Sequence, residues 1–256
     1  MRGKNFKVRL LIGVAIALFF VVKRCSQREE NPYTGRMQTI SMTADKEIQI
    51  GLASAPQMEA QHGGMHPNSQ YQAVVDNVGR SLVNSSIAKD TPYNYEFHLL
   101  ADPNTINAFA LPGGQIYITF ALFSKLDNES QLAGVLGHEI GHVLGRHSAE
   151  RIAESEYWQG LATAGSVGGD IGGLVSGIGQ NTLLTNGRED ELESDDLGVR
   201  FMINAGYDPE EMIGVMEILK AAAGPNRVPE RMSTHPDPEN RKEKIKESIE
   251  KYKNAL

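Results

Sequence analysis

A pair of histidines lies at metal-binding spacing near the middle of the chain. His138 and His142 are the first and last residues of the pentapeptide HExxH, and Glu139 lies between them. On a helix, residues four apart share one face, so both imidazoles can reach a single metal ion. Glu139 is rotated by about 100° from His138 on such a helix. Its carboxylate can therefore reach a water molecule in the site without binding the metal itself.

Two histidines do not complete a catalytic zinc site, which normally has three protein ligands and one position open to water. An acidic run lies further along the chain, and within it Glu191 and Asp195 are again four residues apart. The spacing leaves two interpretations open. The carboxylates either share the metal-facing side of a helix or belong to a solvated acidic face.

Apolar periodicity indicates the elements that must position these residues. The strongest predicted helix covers residues 128–151, with Asn128 as its N-cap and HExxH in its middle. A second helix is expected from about Arg188 to Ala205, ended by Gly206. Further helices are predicted at 69–86, after Asp208 and at 236–253, and strands at 95–99, 107–111 and 115–119. The order predicts an α+β domain, a helical body with a small sheet.

The glycine-dense stretch at residues 160–179 has two interpretations. Gly168 and Gly172, like other glycines here, are spaced four apart, which lets helices approach closely in lipid. The favoured interpretation is a flexible loop that bridges the HExxH helix to the Glu191 helix and acts as a lid.

The first 24 residues differ from the rest of the chain. A basic segment precedes the apolar run 10–22, and Lys23 and Arg24 close it. As a helix this run spans about 20 Å, less than the roughly 30 Å hydrocarbon core. We expect an uncleaved signal-anchor that holds later residues outside the cytoplasm. A cleaved signal peptide and a lipid on Cys25 are the alternatives. The predicted organisation is 1–24 anchor or signal, 25–45 linker and 46–256 catalytic domain.

Overall composition narrows the function classes. The net charge is −7, which argues against a nucleic-acid partner because phosphate binding needs a basic surface. A single cysteine excludes an intramolecular disulfide.

Several ordered motifs resemble one metallopeptidase family. It is the gluzincin family that includes the type-I CAAX prenyl protease, HtpX and BepA, in which ExxxD follows HExxH, as Glu191 and Asp195 do here. Asn107–Gly114 resembles the NAFA-x-PGG motif, and Ser233–Pro236 with Arg241 resembles STHP-x4-R. The likeness extends from about residue 31 to 245 and is greatest to the branch with a single anchor, as in BepA and LoiP.

This resemblance implies a zincin-like fold for the domain. It also implies one Zn²⁺ per chain, bound by His138, His142 and Glu191, with Glu139 as general base. It makes Asp195 a catalytic residue, either as proton donor or as the hydrogen-bond partner of a ligand imidazole.

The resemblance also implies a role for His235. It is expected either to bind the zinc as a fourth, self-inhibiting ligand or to stabilise the oxyanion.

The expected activity is zinc-dependent endopeptidase cleavage of unfolded or misassembled envelope proteins, in the bacterial periplasm. Substrate is expected to pair as an extended strand along Asn107–Leu111, with the membrane contacted through residues 10–22. A non-hydrolytic, zinc-containing chaperone or assembly factor of the envelope is the alternative.

Overall fold

The computed structural model describes residues 2–169, 171–223, 235 and 240–254. Within them the chain is mostly helical with two small sheets, which agrees with the predicted α+β class. The elements are α1 (Arg2–Ser26), β1 (Arg28–Glu30), β2 (Met37–Thr39), α2 (Ala44–Gln61), α3 (Ser69–Asn84), β3 (Glu96–Leu100), β4 (Ala108–Ala110), β5 (Gln115–Thr119), α4 (Phe120–Phe123), α5 (Glu129–Leu144), α6 (His147–Gly169), α7 (Gly172–Ala205), α8 (Glu211–Ala223) and α9 (Arg241–Lys253). Contacts divide the chain into a first unit, Met1–Met42 with His147–Gly187, and a second unit, Thr43–Arg146 with Arg188–Leu256.

A three-stranded sheet of order β3-β5-β4 lies in the second unit. The central strand β5 is buried along its whole length, as its run of apolar residues requires. It pairs in parallel with β3 and antiparallel with β4, so β4 is an edge strand. Helix α3 packs on β3 so closely that a Cβ on Gly79 would lie 2.5 Å from the Phe97 ring. Helix α5 contacts α3, β4 and α8.

The predicted helix 128–151 is two helices. The Asn128 side chain accepts the backbone N–H of Gln131 at 2.9 Å and caps α5, as expected. The helix ends at Leu144 because Arg146 takes a left-handed conformation with φ 58°. The Arg146 guanidinium pairs with the buried Glu47 carboxylate of α2 at 2.6 Å. Helical periodicity in the sequence cannot reveal this long-range ion pair, so the break between the two helices was not predicted.

The prediction that the glycine-dense stretch forms a loop is wrong. In the described residues this stretch forms the end of α6 and the start of α7. Packing within the first unit accounts for the helix. A Cβ on Gly13 of α1 would lie 2.8 Å from the Ala164 carbonyl oxygen and 2.9 Å from the Gly168 Cα. The small residues therefore serve a close approach of α1 and α6, which outweighs the low helix propensity of glycine.

The apolar run 10–22 lies within α1. Among the described residues, no helix has the length and apolar character needed to cross a membrane. The segment predicted as a linker carries the antiparallel strands β1 and β2. Their turn uses Gly35 at φ 74°, whose N–H donates to the Asn31 carbonyl at 2.9 Å.

Candidate metal centre

Two glycines of α5 let the HExxH helix approach α7. A Cβ on Gly141 would lie 2.9 Å from the Ser194 Cα, and one on Gly137 would lie 3.3 Å from the Gly198 Cα. Larger side chains at these positions would separate the two backbones. The approach places the histidines of α5 beside the acidic side chains of α7, which confirms that Glu191 and Asp195 face the HExxH motif and not solvent.

Four side chains converge at this point: His138, His142, Glu191 and His235, whose ligand atoms all lie within 4.8 Å of one another. The Nε2 atoms of His138 and His142 are 3.0 Å apart, and the Glu191 oxygens lie 3.3 Å and 3.2 Å from them. Ligands bound tetrahedrally about 2.0–2.1 Å from a zinc ion are separated by roughly 3.3 Å. The spacing therefore fits one small divalent metal ion.

The electrostatics of the group also favour a cation. Glu191 is 0% exposed, and although burial opposes its charge, the neighbouring histidines hold the pKa of its carboxyl well below the usual range. Burial likewise disfavours the charged His138 imidazole, but Glu191 and Asp195 outweigh it and raise the pKa of His138 to about 10. The buried carboxylates thus attract positive charge to this point.

Asp195 fixes the orientation of one imidazole. The Nδ1 of His138 donates to the Asp195 carboxylate at 2.8 Å, so Nε2 is the ring nitrogen left to bind a metal ion at the centre of the group. Arg241 of α9 donates to both oxygens of the same carboxylate, at 2.9 Å and 2.5 Å. Burial would raise the pKa of Asp195, but the Arg241 guanidinium keeps it lowered.

His235 lies in the group with its two ring nitrogens in different surroundings. Its Nδ1 is 3.0 Å from a Glu191 oxygen and 3.3 Å from the His138 Nε2. Its Nε2 lies 3.3 Å from the Ala108 carbonyl of the edge strand, to which it can donate. This arrangement aims the Nδ1 lone pair at the metal position. The residues that flank His235 in the predicted STHP motif lie outside the described residues.

Glu139 is positioned differently from the candidate ligands. It is buried, and one of its oxygens, Oε2, has no hydrogen-bond partner within the described residues. The side chain borders a cavity that His138 and His235 also line. Burial raises the pKa of its carboxyl, so the group holds a proton more readily than an exposed glutamate does.

Four other histidines of the described residues stay outside the group. The metal-binding group, searched over the described residues, includes none of His62, His66, His98 and His147. Nothing in the sequence pattern indicates that the helix after Asp208 borders the site. Met212 and Val215 of α8 line the cavity beside Glu139.

The fold and donor set define a metallopeptidase, and comparison with known proteins gives its family. Residues 69–249 match Peptidase family M48, and the chain belongs to this family. The chain is similar to the beta-barrel assembly-enhancing protease of Escherichia coli K12, with 32% identity over 181 residues, covering 65% of this chain and 36% of that protein.

Two further relatives cover more of the chain. The beta-barrel assembly-enhancing protease of Yersinia pestis is 29% identical over 226 residues, which is 82% of this chain and 45% of the relative. The mitochondrial metalloendopeptidase OMA1 of Schizosaccharomyces pombe is 30% identical over 224 residues, 84% of this chain and 65% of the relative. The chain thus spans between about a third and two thirds of the length of these proteins.

Proposed function

We propose that this chain is a zinc-dependent endopeptidase that cleaves polypeptides, with one Zn²⁺ held by His138, His142 and Glu191. The observation that carries the proposal is the convergence of these three side chains beside the buried Glu139 carboxylate. Two imidazoles and one carboxylate form a common donor set for catalytic zinc. When bound, zinc supplies a Lewis acid that polarises a carbonyl and makes water acidic.

Glu139 acts as the general base. The partnerless Oε2 can accept the proton of an attacking water and later give it to the leaving amine. A carboxyl whose pKa is raised by burial is suited to both steps, because it holds the proton between them. The presence of this carboxylate disfavours the non-hydrolytic chaperone or assembly factor.

Asp195 acts by positioning. A proton donor must carry a proton at working pH, whereas the lowered pKa of Asp195 and its two bonds from Arg241 keep it an anionic acceptor. Its contribution is to hold the His138 tautomer that presents Nε2 to the metal.

His235 serves as a self-inhibiting fourth ligand. Its Nδ1 lies within 4.8 Å of the ligand atoms of the other three residues, so a neutral imidazole there would compete with water for a bound metal ion. The bond from Nε2 to the Ala108 carbonyl supports this orientation. The alternative, oxyanion stabilisation, would require an N–H directed toward the reacting carbonyl.

Substrate binds as an extended strand along the edge strand β4, within Asn107–Leu111. The edge leaves main-chain groups available, and pairing through them selects little sequence. We therefore assign unfolded or misassembled envelope proteins as substrates, in the bacterial periplasm, in keeping with the names of the bacterial relatives. The net charge of −7 supports a function without nucleic acid.

Membrane attachment through residues 10–22 of α1 completes the proposal. Large apolar side chains on this helix are exposed, among them Leu11 at 69%, Phe19 at 63% and Val22 at 65%. Exposed apolar area on this scale indicates contact with another apolar phase. The basic residues before this run favour an orientation with the N-terminus inside the cytoplasm.

Replacing Glu139 tests the activity. Glu139→Gln should abolish cleavage of an unfolded protein such as casein, since the base is lost, and should leave the zinc content of the purified full chain unchanged, since no ligand is lost. His138→Ala is the control that should lose both. Equal proteolysis by Glu139→Gln and the unmodified chain would refute the assignment.

A further inference from the structure

A second cavity, of about 400 Å³, is lined by residues of α3, of α4 and of the beginning of α5. Its lining shares no residue with the cavity beside Glu139 and includes none of the candidate metal ligands. Helices α4 and α5 contribute different residues to the two cavities: Phe120, Phe123 and Leu132 line the second one, whereas Leu122 and Val135 line the first. The second cavity is therefore a separate feature of the same unit.

Three aromatic rings line this second cavity, those of Tyr71, Phe120 and Phe123. The centroid of the Tyr71 ring lies 6.1 Å from that of Phe120 and 5.5 Å from that of Phe123. Tyr71 is 41% exposed, so a ligand can reach the rings from solvent. The face of an aromatic ring attracts a cation that lies within about 6 Å of its centroid. The rings thus favour a ligand that combines an apolar body with positive charge.

The charge of the lining has the complementary sign. The exposed side chains of Asp127 and Glu129 belong to it, and among the described residues that line the cavity none is lysine, arginine or histidine. The N-terminus of α5 adds about half a positive charge, which is less than the charge of two carboxylates. The Asn128 side chain already accepts the Gln131 N–H of this terminus at 2.9 Å. The cavity is therefore acidic on balance.

We infer that this cavity is a docking site for an arginine side chain of a polypeptide. Arginine has an apolar stem and a planar cation that stacks on aromatic rings and pairs with carboxylates, which matches both parts of the lining. An acidic segment would be repelled, and an apolar one would leave the two carboxylates without a partner. The volume lies within the range of about 300–1,000 Å³ of ligand pockets and has room for a neighbouring side chain of the same polypeptide. The inference concerns binding alone and stands whether or not the chain cleaves the polypeptide.

The test measures the dissociation constants of short blocked peptides for the full chain carrying Glu139→Gln, so that no peptide is consumed. The peptides differ at one central position, which is arginine or citrulline, a neutral residue of nearly the same shape. We expect the arginine peptide to bind at least about fivefold more tightly than the citrulline peptide. Raising the salt from about 0.1 M to about 1 M should reduce this preference, because the Debye length falls from about 10 Å to about 3 Å.

Substitutions in the lining locate the binding. Asp127→Asn combined with Glu129→Gln should abolish the preference for arginine over citrulline, because it removes both charges and keeps the size of the side chains. Tyr71→Leu should weaken binding of the arginine peptide, because a ring is lost. The matched control is Glu243→Gln combined with Glu250→Gln, which removes two exposed carboxylates of α9 outside the lining and should leave the preference intact.

Zinc content shows that the variants remain folded around the metal centre, and all of them should retain the zinc content of the parent chain. Equal binding of the two peptides, or a preference that survives the loss of Asp127 and Glu129, would overturn the inference. Arginine amide that binds as tightly as the arginine peptide would overturn the assignment of the ligand to a polypeptide.

Discussion

A single carboxylate, that of Asp195, links the metal-binding group to the C-terminal helix. It accepts the Nδ1–H of His138 on one side and two N–H groups of Arg241 on the other. A buried carboxylate without these donors would favour protonation. Arg241 therefore keeps Asp195 ionised, and Asp195 keeps the His138 lone pair directed at the metal position.

We expect the two α7 carboxylates to differ in their effect on metal affinity. Asp195→Asn should weaken zinc binding by about 10–100-fold, because it perturbs the orientation of a ligand. Glu191→Gln should weaken it far more, because an anionic ligand is lost. Competition with a chromophoric chelator measures both. Glu193→Gln, on the same helix but outside the group, should bind zinc as the unmodified chain does; loss of zinc in this control alone would show that the ligand assignment is out of register.

His235→Ala separates the two roles of the histidine by sign. As an inhibitory ligand, His235 excludes water, so its removal should raise the initial rate of casein hydrolysis. As an oxyanion donor, its removal would lower turnover by roughly 10²–10³-fold. Initial rates measured at saturating zinc decide between them. His62→Ala is the matched control, a half-buried histidine outside the group, and should leave the rate unchanged.

At the level of elements, the centre depends on how closely α5 and α7 pack. Gly141 belongs to the HExxH motif, although neither the metal nor the base requires a glycine there. Its role is spatial, because Ser194 occupies the space next to its Cα. Gly137 has the same spatial role, because its missing side chain leaves room for the backbone at Gly198.

Gly141→Ala should lower both stability and zinc content. The added methyl would meet backbone of α7 at 2.9 Å, which cannot yield as a flexible side chain does. Overpacking of this kind typically costs about 1–3 kcal/mol. Thermal unfolding and zinc analysis measure the two effects. Gly134→Ala on the same helix meets its nearest neighbour at 3.4 Å, an ordinary contact, and should retain its zinc; equal losses in both variants would contradict the spatial role of Gly141.

The elements that could be predicted from the sequence are those whose stabilising interactions join residues close together in the chain. Strand β5 was predicted with its observed bounds, and the cap at Asn128 was predicted correctly, because both depend on neighbours in sequence. The i, i+4 spacing of the HExxH histidines on α5 indicated their part of the group for the same reason, whereas the spacing of Glu191 and Asp195 on α7 left a solvated face open, and the family resemblance assigned them. The end of α5 was not predicted. It is associated with the ion pair between Arg146 and Glu47, and a pattern of neighbouring residues cannot reveal an interaction between residues so far apart in sequence.

The glycine-dense stretch shows the same limit more strongly. Its composition favours a loop, yet the chain folds as helix because α1 packs against it. The partner is about 150 residues away in sequence, as the bond from the Arg9 side chain to the Val167 carbonyl illustrates, with a separation of 158 positions. The cavity lining on α8 was missed because an apolar stripe looks alike whether it packs against a core or borders a cavity.

For the whole molecule, the division into two units is the main architectural fact. All the candidate ligands, Glu139 and the cavity belong to the second unit, whereas the exposed apolar residues of α1 belong to the first. The proposed chemistry and the proposed membrane attachment thus belong to separate parts of the chain.

We expect the full chain to stay in the membrane fraction after a carbonate wash, because the exposed side of α1 is apolar. Leu11→Lys combined with Phe19→Lys should release it, since a charge within the hydrocarbon region costs about 2.5–3.5 kcal/mol even by the mildest scale. Leu52→Lys, at an exposed apolar residue of the second unit, is the control that should remain bound. Release of the unmodified chain by carbonate would exclude this attachment.

The bond between His235 and the Ala108 carbonyl has a consequence for kinetics. An incoming strand needs the acceptors of β4, and His235 already uses one of them. On the proposed function, a polypeptide that pairs there would remove the partner that holds the imidazole at the candidate metal position, so binding and activation would become one event. Progress curves should then show a lag that shortens as substrate concentration rises. Dipeptides too short to pair should remain inert even at high concentration, so that folded proteins without a free strand are spared in the absence of any dedicated inhibitor.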